Sequence, residues 1–229
     1  MNEIYDIWIP AVAAALIMAS FSMPVSLLTM LAHNILGHEK HHVKLTRFSF
    51  LYFCGALLAM LLLTFFAITV VNIPFFANDH RFIWSLYALL IIDGLFVLMF
   101  YYRSDRGTRL WLPRKSAVNL TRSVEQVNGG GSAFLSGGLA VFAELLLTVV
   151  PIFIASESLS KLGGDTQYYA GFGFAFLALL PVIALIFANA TGKKISKFQR
   201  FREKNKMFFQ ITAGVLMLAL GLYLFMINK

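Results

Sequence analysis

The chain has 229 residues, of which 59% are hydrophobic and 13% are charged, and its mean hydropathy is +0.75. An ordinary soluble domain does not have this composition, so we interpret the chain as an integral membrane protein whose first partner is the lipid bilayer. The formal net charge of +8 would suit nucleic acid, but basic loops at a membrane surface explain it, and we expect no nucleic-acid partner. Its single cysteine, Cys54, excludes an intramolecular disulfide and a CxxC redox pair.

Six apolar segments are near or above the ~20 residues that a membrane-spanning helix needs. In chain order they cover 7–32, 48–76, 82–102, 133–156, 168–190 and 207–227. We therefore predict an all-α polytopic membrane protein with six transmembrane helices. The connections at 77–81 and 157–167 are short, and the second contains the turn Gly163-Gly164-Asp165.

The basic residues alternate between the two sides of the predicted membrane. Sixteen of the 19 lysines and arginines lie in three loops, 33–47, 103–132 and 191–206. Cytoplasmic loops carry an excess of these residues, so we expect the three loops to be cytoplasmic and both termini to be outside. The expected location is the plasma (inner) membrane of a prokaryote.

The long third loop divides the chain into two halves of three helices. The first half is 1–106, a cytoplasmic linker is 107–132, and the second half is 133–229. Because each half has an odd number of spans, the halves have opposite orientations, as in the inverted repeats of secondary transporters. Each half opens with a helix that contains a proline, Pro24 or Pro151, and we expect both helices to be interrupted there.

The fourth segment carries an ionisable side chain, Glu144, within apolar sequence. A helix turns about 100° per residue, so one narrow face combines this glutamate with small or polar residues. These are Gly137, Ala140, Thr148, Pro151 and Ala155. A charge at mid-membrane costs at least about 2.5 kcal/mol, so Glu144 should face protein or water. Two interpretations stay open: a kinked packing helix in which a neighbour binds Glu144, or the lining of a transport path.

A second polar stripe lies on one face of the first segment. Its members are Ser22, Ser26, Thr29 and His33. The stripe either makes interhelical hydrogen bonds, as serine and threonine do in membranes, or faces Glu144 across the centre of the bundle. The other intramembrane acid, Asp93, either lies near Glu144 or binds a backbone group that Gly94 exposes.

Four of the five histidines fall between residues 33 and 42. His38 and His42 are four residues apart and would share a helix face, which suits two imidazole ligands on one divalent metal ion. The alternative is a solvated cytoplasmic loop, where Lys40 and Lys44 disfavour a metal. Beyond this divalent metal we expect no cofactor. No nucleotide-binding loop and no HExxH motif occurs, and we expect the protein not to be an enzyme.

The last segment follows a basic loop and has two glycines seven residues apart, Gly214 and Gly221. With six segments, outside termini and prolines in the first and fourth helices, the chain resembles the LysE-type transporter superfamily, including its DsbD/CcdA-like branch. The resemblance implies a 3+3 inverted-repeat bundle that exports small solutes or ions, or, in the thiol branch, passes reducing equivalents across the membrane. That branch has a cysteine beside each proline, whereas Pro24 and Pro151 have none, so we expect no redox activity.

These features predict a secondary membrane transporter that exports a small solute or cation. Glu144 would carry a proton or pair with the cargo, Asp93 would be an accessory acid, and Pro24 and Pro151 would supply the broken helices. The alternatives are a DsbD/CcdA-like membrane protein without redox activity, and a membrane scaffold subunit that binds a partner protein through its cytoplasmic loops. A homo-oligomer is compatible with each of them.

Overall fold

The computed structural model describes residues 2–20, 42–77, 80–101, 130–191, 200–201 and 204–227. Within these ranges the chain forms helices and turns and no strand. The helices are α1 Asn2–Ala19, α2 His42–Val71, α3 Pro74–Ala77, α4 His80–Phe96, α5 Gly130–Ala143, α6 Leu145–Ser160, α7 Thr166–Ala178, α8 Leu180–Ala190 and α9 Lys206–Ile227. A π-helical segment, Val97–Tyr101, extends α4.

Three of the described helical stretches are long and apolar enough to cross a membrane: Thr46–Val71, His80–Phe100 and Met207–Ile227. Two further pairs would each give one bent span, since α5 and α6 meet at 80° and α7 and α8 at 52°. The described residues thus hold three to five candidate spans, which indicates an integral membrane protein. The sixth expected span depends on segment 7–32, of which residues 21–32 lie outside the described part.

Helices α2 and α5 are in close backbone contact. A side chain at Gly55 would overlap the main-chain carbonyl of Phe134, and one at Gly137 would overlap the carbonyl of Tyr52. Small residues let membrane helices approach until their backbones touch, which replaces the hydrophobic driving force that is missing within lipid. Gly55 and Gly137 therefore fix the contact between the second and fourth expected segments.

Helix α9 packs against α4 in the same manner. A side chain at Gly214 would overlap Leu98, and one at Gly221 would lie 2.6 Å from a side-chain carbon of Ile91. On α4, a side chain at Gly94 would place its Cβ 3.1 Å from the carbonyl oxygen of Gly214. The two glycines of the last segment thus have a packing role, because both face α4.

Helix α6 occupies the centre of the described bundle, where it contacts α1, α2, α4 and α7. Its second half is buried on every side, from Ile154 through Leu159. A helix that is surrounded by protein needs no polar outer face, which explains why its apolar residues show no amphipathic stripe. Polar side chains on α6 are therefore held among other helices.

The interruption of the fourth segment differs from the expectation in position. The bend lies at Glu144, between α5 and α6, whereas Pro151 lies inside α6, which continues to Ser160. A proline removes one backbone hydrogen bond, here to the carbonyl of Leu147, and the turns on either side keep theirs. Pro24, where the first segment is expected to be interrupted, lies outside the described residues.

Candidate functional site

The bend at Glu144 is the main irregularity in the described membrane helices. The N–H of Glu144 donates to the carbonyl of Val141 at 3.3 Å, a three-residue step that tightens the last turn of α5. With φ of −98° and ψ of 5°, Glu144 then leaves the helical conformation and the chain turns through 80°. The backbone therefore changes direction at Glu144, the carboxyl-bearing residue at the centre of this segment.

Helix α6 begins directly after the bend. The Glu144 carbonyl accepts the N–H groups of Leu147 at 2.9 Å and Thr148 at 3.1 Å, and it also accepts the Thr148 hydroxyl at 3.1 Å. The first amides of a helix, here those of Leu145 and Leu146, have no acceptor within the helix and give its start a partial positive charge. A carboxylate next to such a start is electrostatically favourable.

Glu144 itself is 3% exposed. The small and polar residues that were expected to share its face are also buried: Gly137, Ala140, Thr148, Pro151 and Ala155. The bend changes their arrangement, because Gly137 and Ala140 belong to α5 and the other three belong to α6. The predicted single stripe is therefore two short faces that meet at the glutamate.

Asp93 is half-buried in the middle of α4. Its Oδ2 atom is buried and accepts no hydrogen bond from any described residue. Whether Asp93 lies near Glu144 or binds a backbone group near Gly94 through its other oxygen stays a prediction. Gly94 contributes to the contact between α4 and α9.

The structure also shows a buried acid that the sequence analysis missed. Glu157 was assigned to a connection at 157–167, but α6 extends through Ser160 and the Glu157 side chain is 7% exposed. Its Oε1 atom pairs with the Lys161 ammonium at 2.9 Å. A glutamate four residues before a lysine is typical of a continuing helix, and this spacing could have corrected the boundary.

Another polar residue that was not singled out, Gln210 on α9, bonds to the π-helical segment. Its side-chain amide donates to the carbonyls of Val97 and Leu98, each at 2.8 Å. A π-helical turn displaces carbonyls from their usual donors and is frequent at functional sites, and Gln210 satisfies two of them. A lone glutamine in an apolar helix was the available signal.

Several predicted residues lie outside the described part of the chain: Ser22, Pro24, Ser26, Thr29, His33 and His38. His42 is the first residue of α2, and its side chain is likewise not described. Among the described residues, no three His, Cys, Asp or Glu side chains come together in a group that could hold a metal ion. The predicted divalent metal site therefore stays a prediction.

A groove of about 420 Å³ lies between α1, the end of α6 and α7. Its lining is apolar apart from Thr166 and the Tyr169 hydroxyl, and it includes Trp8, Val12 and Leu159. Glu144 is not among the lining residues. The groove therefore does not extend the candidate site.

A comparison with protein-family models finds no match, and comparisons with curated proteins and with solved structures find none either. The candidate site is therefore defined by geometry alone: a buried carboxylate at an 80° break between two apolar helices.

Proposed function

We propose that the protein is a secondary membrane transporter that exports a small solute or cation, with Glu144 as the group that carries a proton or pairs with the cargo. The observation that carries this proposal is the 80° break in an apolar helix pair at a buried glutamate. Broken helices at membrane depth are the favoured place for the binding site of a secondary transporter.

The chemistry of the break supports this role. Irregular backbone within a membrane is tolerated where it is buried in protein or lines a cavity. A carboxylate at that depth costs at least about 2.5 kcal/mol unless other groups compensate it. The start of α6 supplies partial positive charge at the same residue, so the site can hold the acid ionised in one state and exchange a cation or proton in another.

The helix contacts support a 3+3 inverted repeat. In this arrangement α1, α2 and α4 correspond to the α5–α6 pair, the α7–α8 pair and α9. Each element contacts its own counterpart: α1 contacts α6, α2 contacts α7 and α8, and α4 contacts α9. Contacts between different elements also occur in matching pairs. The contact of α2 with α6 matches that of α7 with α1. The contact of α4 with α6 matches that of α9 with α1.

The ends of α1 and α5 share one local feature. The N–H of Ser20 donates to the carbonyl of Ile17 at 3.1 Å, and the N–H of Glu144 donates to that of Val141 at 3.3 Å. Both helices thus end in a tightened turn with the same three-residue step.

The experiment is transport by the purified protein in liposomes that contain a pH-sensitive dye. Monovalent cations, divalent cations and amino acids are supplied one at a time to the wild type, to Glu144→Gln and to Asp165→Asn. Asp165 is an exposed acid in the α6–α7 turn, so the last variant makes the same chemical change outside the site. We expect one class of cargo to move with the wild type and Asp165→Asn, and no movement with Glu144→Gln.

Two results would contradict this proposal. One is that no cargo moves faster in wild-type liposomes than in empty ones. The other is that Glu144→Gln, monodisperse and with an unchanged melting temperature, transports as fast as the wild type. A stoichiometric partner that co-purifies with an inactive protein would support the scaffold instead. Metal that is bound by the wild type and lost in a His38→Ala, His42→Ala variant would identify a divalent ion as cargo.

A further inference from the structure

The ion pair between Glu157 and Lys161 connects the interior of the bundle to its surface. The Glu157 side chain is 7% exposed, whereas that of Lys161 is 41% exposed, and the two meet at 2.9 Å. Lys161 begins the turn between α6 and α7, which contains Gly163 and Gly164, both with positive φ. Because its side chain is 41% exposed, Lys161 can reach water by side-chain rotation alone.

The two carboxylate oxygens of Glu157 have different surroundings. Oε1 pairs with Lys161, while Oε2 is buried and accepts no hydrogen bond from any described residue. Glu157 also lies in the last turn of α6, where the exposed carbonyls of a helix end repel a negative charge. Removing one partner of a buried ion pair is strongly unfavourable for the remaining charge, and Lys161 is the cation that compensates the charge of Glu157.

Other ionisable groups lie on the elements that pack against α6. Asp6 of α1 accepts a hydrogen bond from Tyr223. Others are Tyr5 on α1, Arg47, Tyr52 and Cys54 on α2, His80, Arg81, Tyr87 and Asp93 on α4, Glu144 before α6, Asp165 before α7, and Tyr168 and Tyr169 on α7. The part of α2 that contacts the end of α6 is near Thr64, whose carbonyl accepts the Ser156 hydroxyl. Arg47 and Cys54 lie at least ten residues before Thr64 on α2. Within the described chain, Lys161 is the cation that the structure pairs with Glu157.

We propose that Glu157 is a proton-binding site whose occupancy is controlled by Lys161. When the ammonium group swings into water, a proton from the aqueous compartment beside the α6–α7 turn binds the carboxylate and forms a neutral carboxylic acid. When the ammonium group returns, the acid releases that proton to the same water. The role of this exchange in moving cargo rests on the proposed function, whereas the protonation itself does not.

The test is labelling with dicyclohexylcarbodiimide, a membrane-soluble reagent that reacts with protonated carboxyl groups, followed by mass spectrometry of the peptides. The full-length protein in phosphatidylcholine liposomes is labelled near neutral pH as wild type, Lys161→Met and Lys161→Arg. We expect about tenfold more adduct at Glu157 in Lys161→Met than in the wild type, since the buried carboxyl then loses its counter-ion. Lys161→Arg keeps a cation and should label like the wild type.

Glu157→Gln in the Lys161→Met background should abolish the adduct. Equal labelling of the wild type and Lys161→Met, or none in either, would overturn the proposal. Lys161→Gln gives the same test if Lys161→Met does not fold. Labelling needs no cargo, so a failure of the transport experiment leaves this result interpretable.

Discussion

The hydroxyl of Thr148 and its own N–H both donate to the main-chain oxygen of Glu144, each at 3.1 Å. Thr148 therefore closes the first turn of α6 immediately beyond the 80° bend. The hydroxyl contact is internal to the bend, because Thr148 is buried together with Glu144.

Thr148→Val should destabilise the protein by about 1 kcal/mol, the usual net value of one hydrogen bond. Valine keeps the shape of threonine and removes the hydroxyl, while the Glu144 carbonyl retains its two N–H donors. Thr148→Ser keeps the hydroxyl and is the matched control. Thermal unfolding in detergent measures both variants, and a Thr148→Val protein as stable as the wild type would show that the hydroxyl contact contributes nothing.

Gly55→Ala and Gly137→Ala should each destabilise the bundle by about 1–3 kcal/mol, because the added methyl group overlaps a main-chain carbonyl of the facing helix. Gly173→Ala is the control, since its added Cβ meets nothing within 4 Å. It should stabilise α7 by up to about 1 kcal/mol through helix propensity. Thermal unfolding of the three variants should therefore give opposite signs, and destabilisation by all three would argue against the close contact.

Gln210→Leu should destabilise the contact between α9 and α4 by about 1–3 kcal/mol, because two buried or half-buried carbonyls lose their donor. Ser85→Ala removes a hydroxyl that bonds the carbonyl of Phe82 within its own helix and serves as a control with a smaller expected loss. Hydrogen exchange of the residues around Val97 and Leu98 should also rise in Gln210→Leu. Unchanged exchange there would mean that the π-helical segment is stable without the glutamine.

Asn72 and Gln167 should show energetic coupling. The Asn72 side-chain amide donates to the Gln167 side-chain oxygen at 3.0 Å and joins the end of α2 to α7. A double-mutant cycle with Asn72→Ala and Gln167→Ala should give a coupling of about 0.5–1.5 kcal/mol. If the changes in unfolding free energy caused by the two substitutions are additive, the bond does not stabilise the fold.

The apolar segments could be predicted well where a helix is straight. The segments 82–102 and 207–227 match the spans His80–Phe100 and Met207–Ile227 within two residues. The predicted segment 48–76 extends beyond the helix, since α2 ends at Val71 and a turn precedes α3. Ile73 and Phe75 are as apolar as the helix, so hydropathy alone does not reveal that turn, although Pro74 disfavours helical backbone at the residue before it.

The bends could be predicted less well, because proline does not mark both of them. Segment 168–190 is bent at Leu179, just before Pro181 near the start of α8, a position that proline tolerates well. Pro151 lies well inside α6 and does not end it. The bend at Glu144 has no proline or glycine beside it, so local sequence carried no sign of it, and tertiary packing determines its position.

The arrangement of α5 and α6 has a mechanical consequence. A helix of 16 residues is about 24 Å long, so a rotation of about 10° at its first residue would displace its far end by about 4 Å. Small torsional changes at Glu144 would thus be converted into large displacements at Glu157 and Lys161. Since α6 contacts four other helices, a rotation at Glu144 would displace those helices together with Glu157.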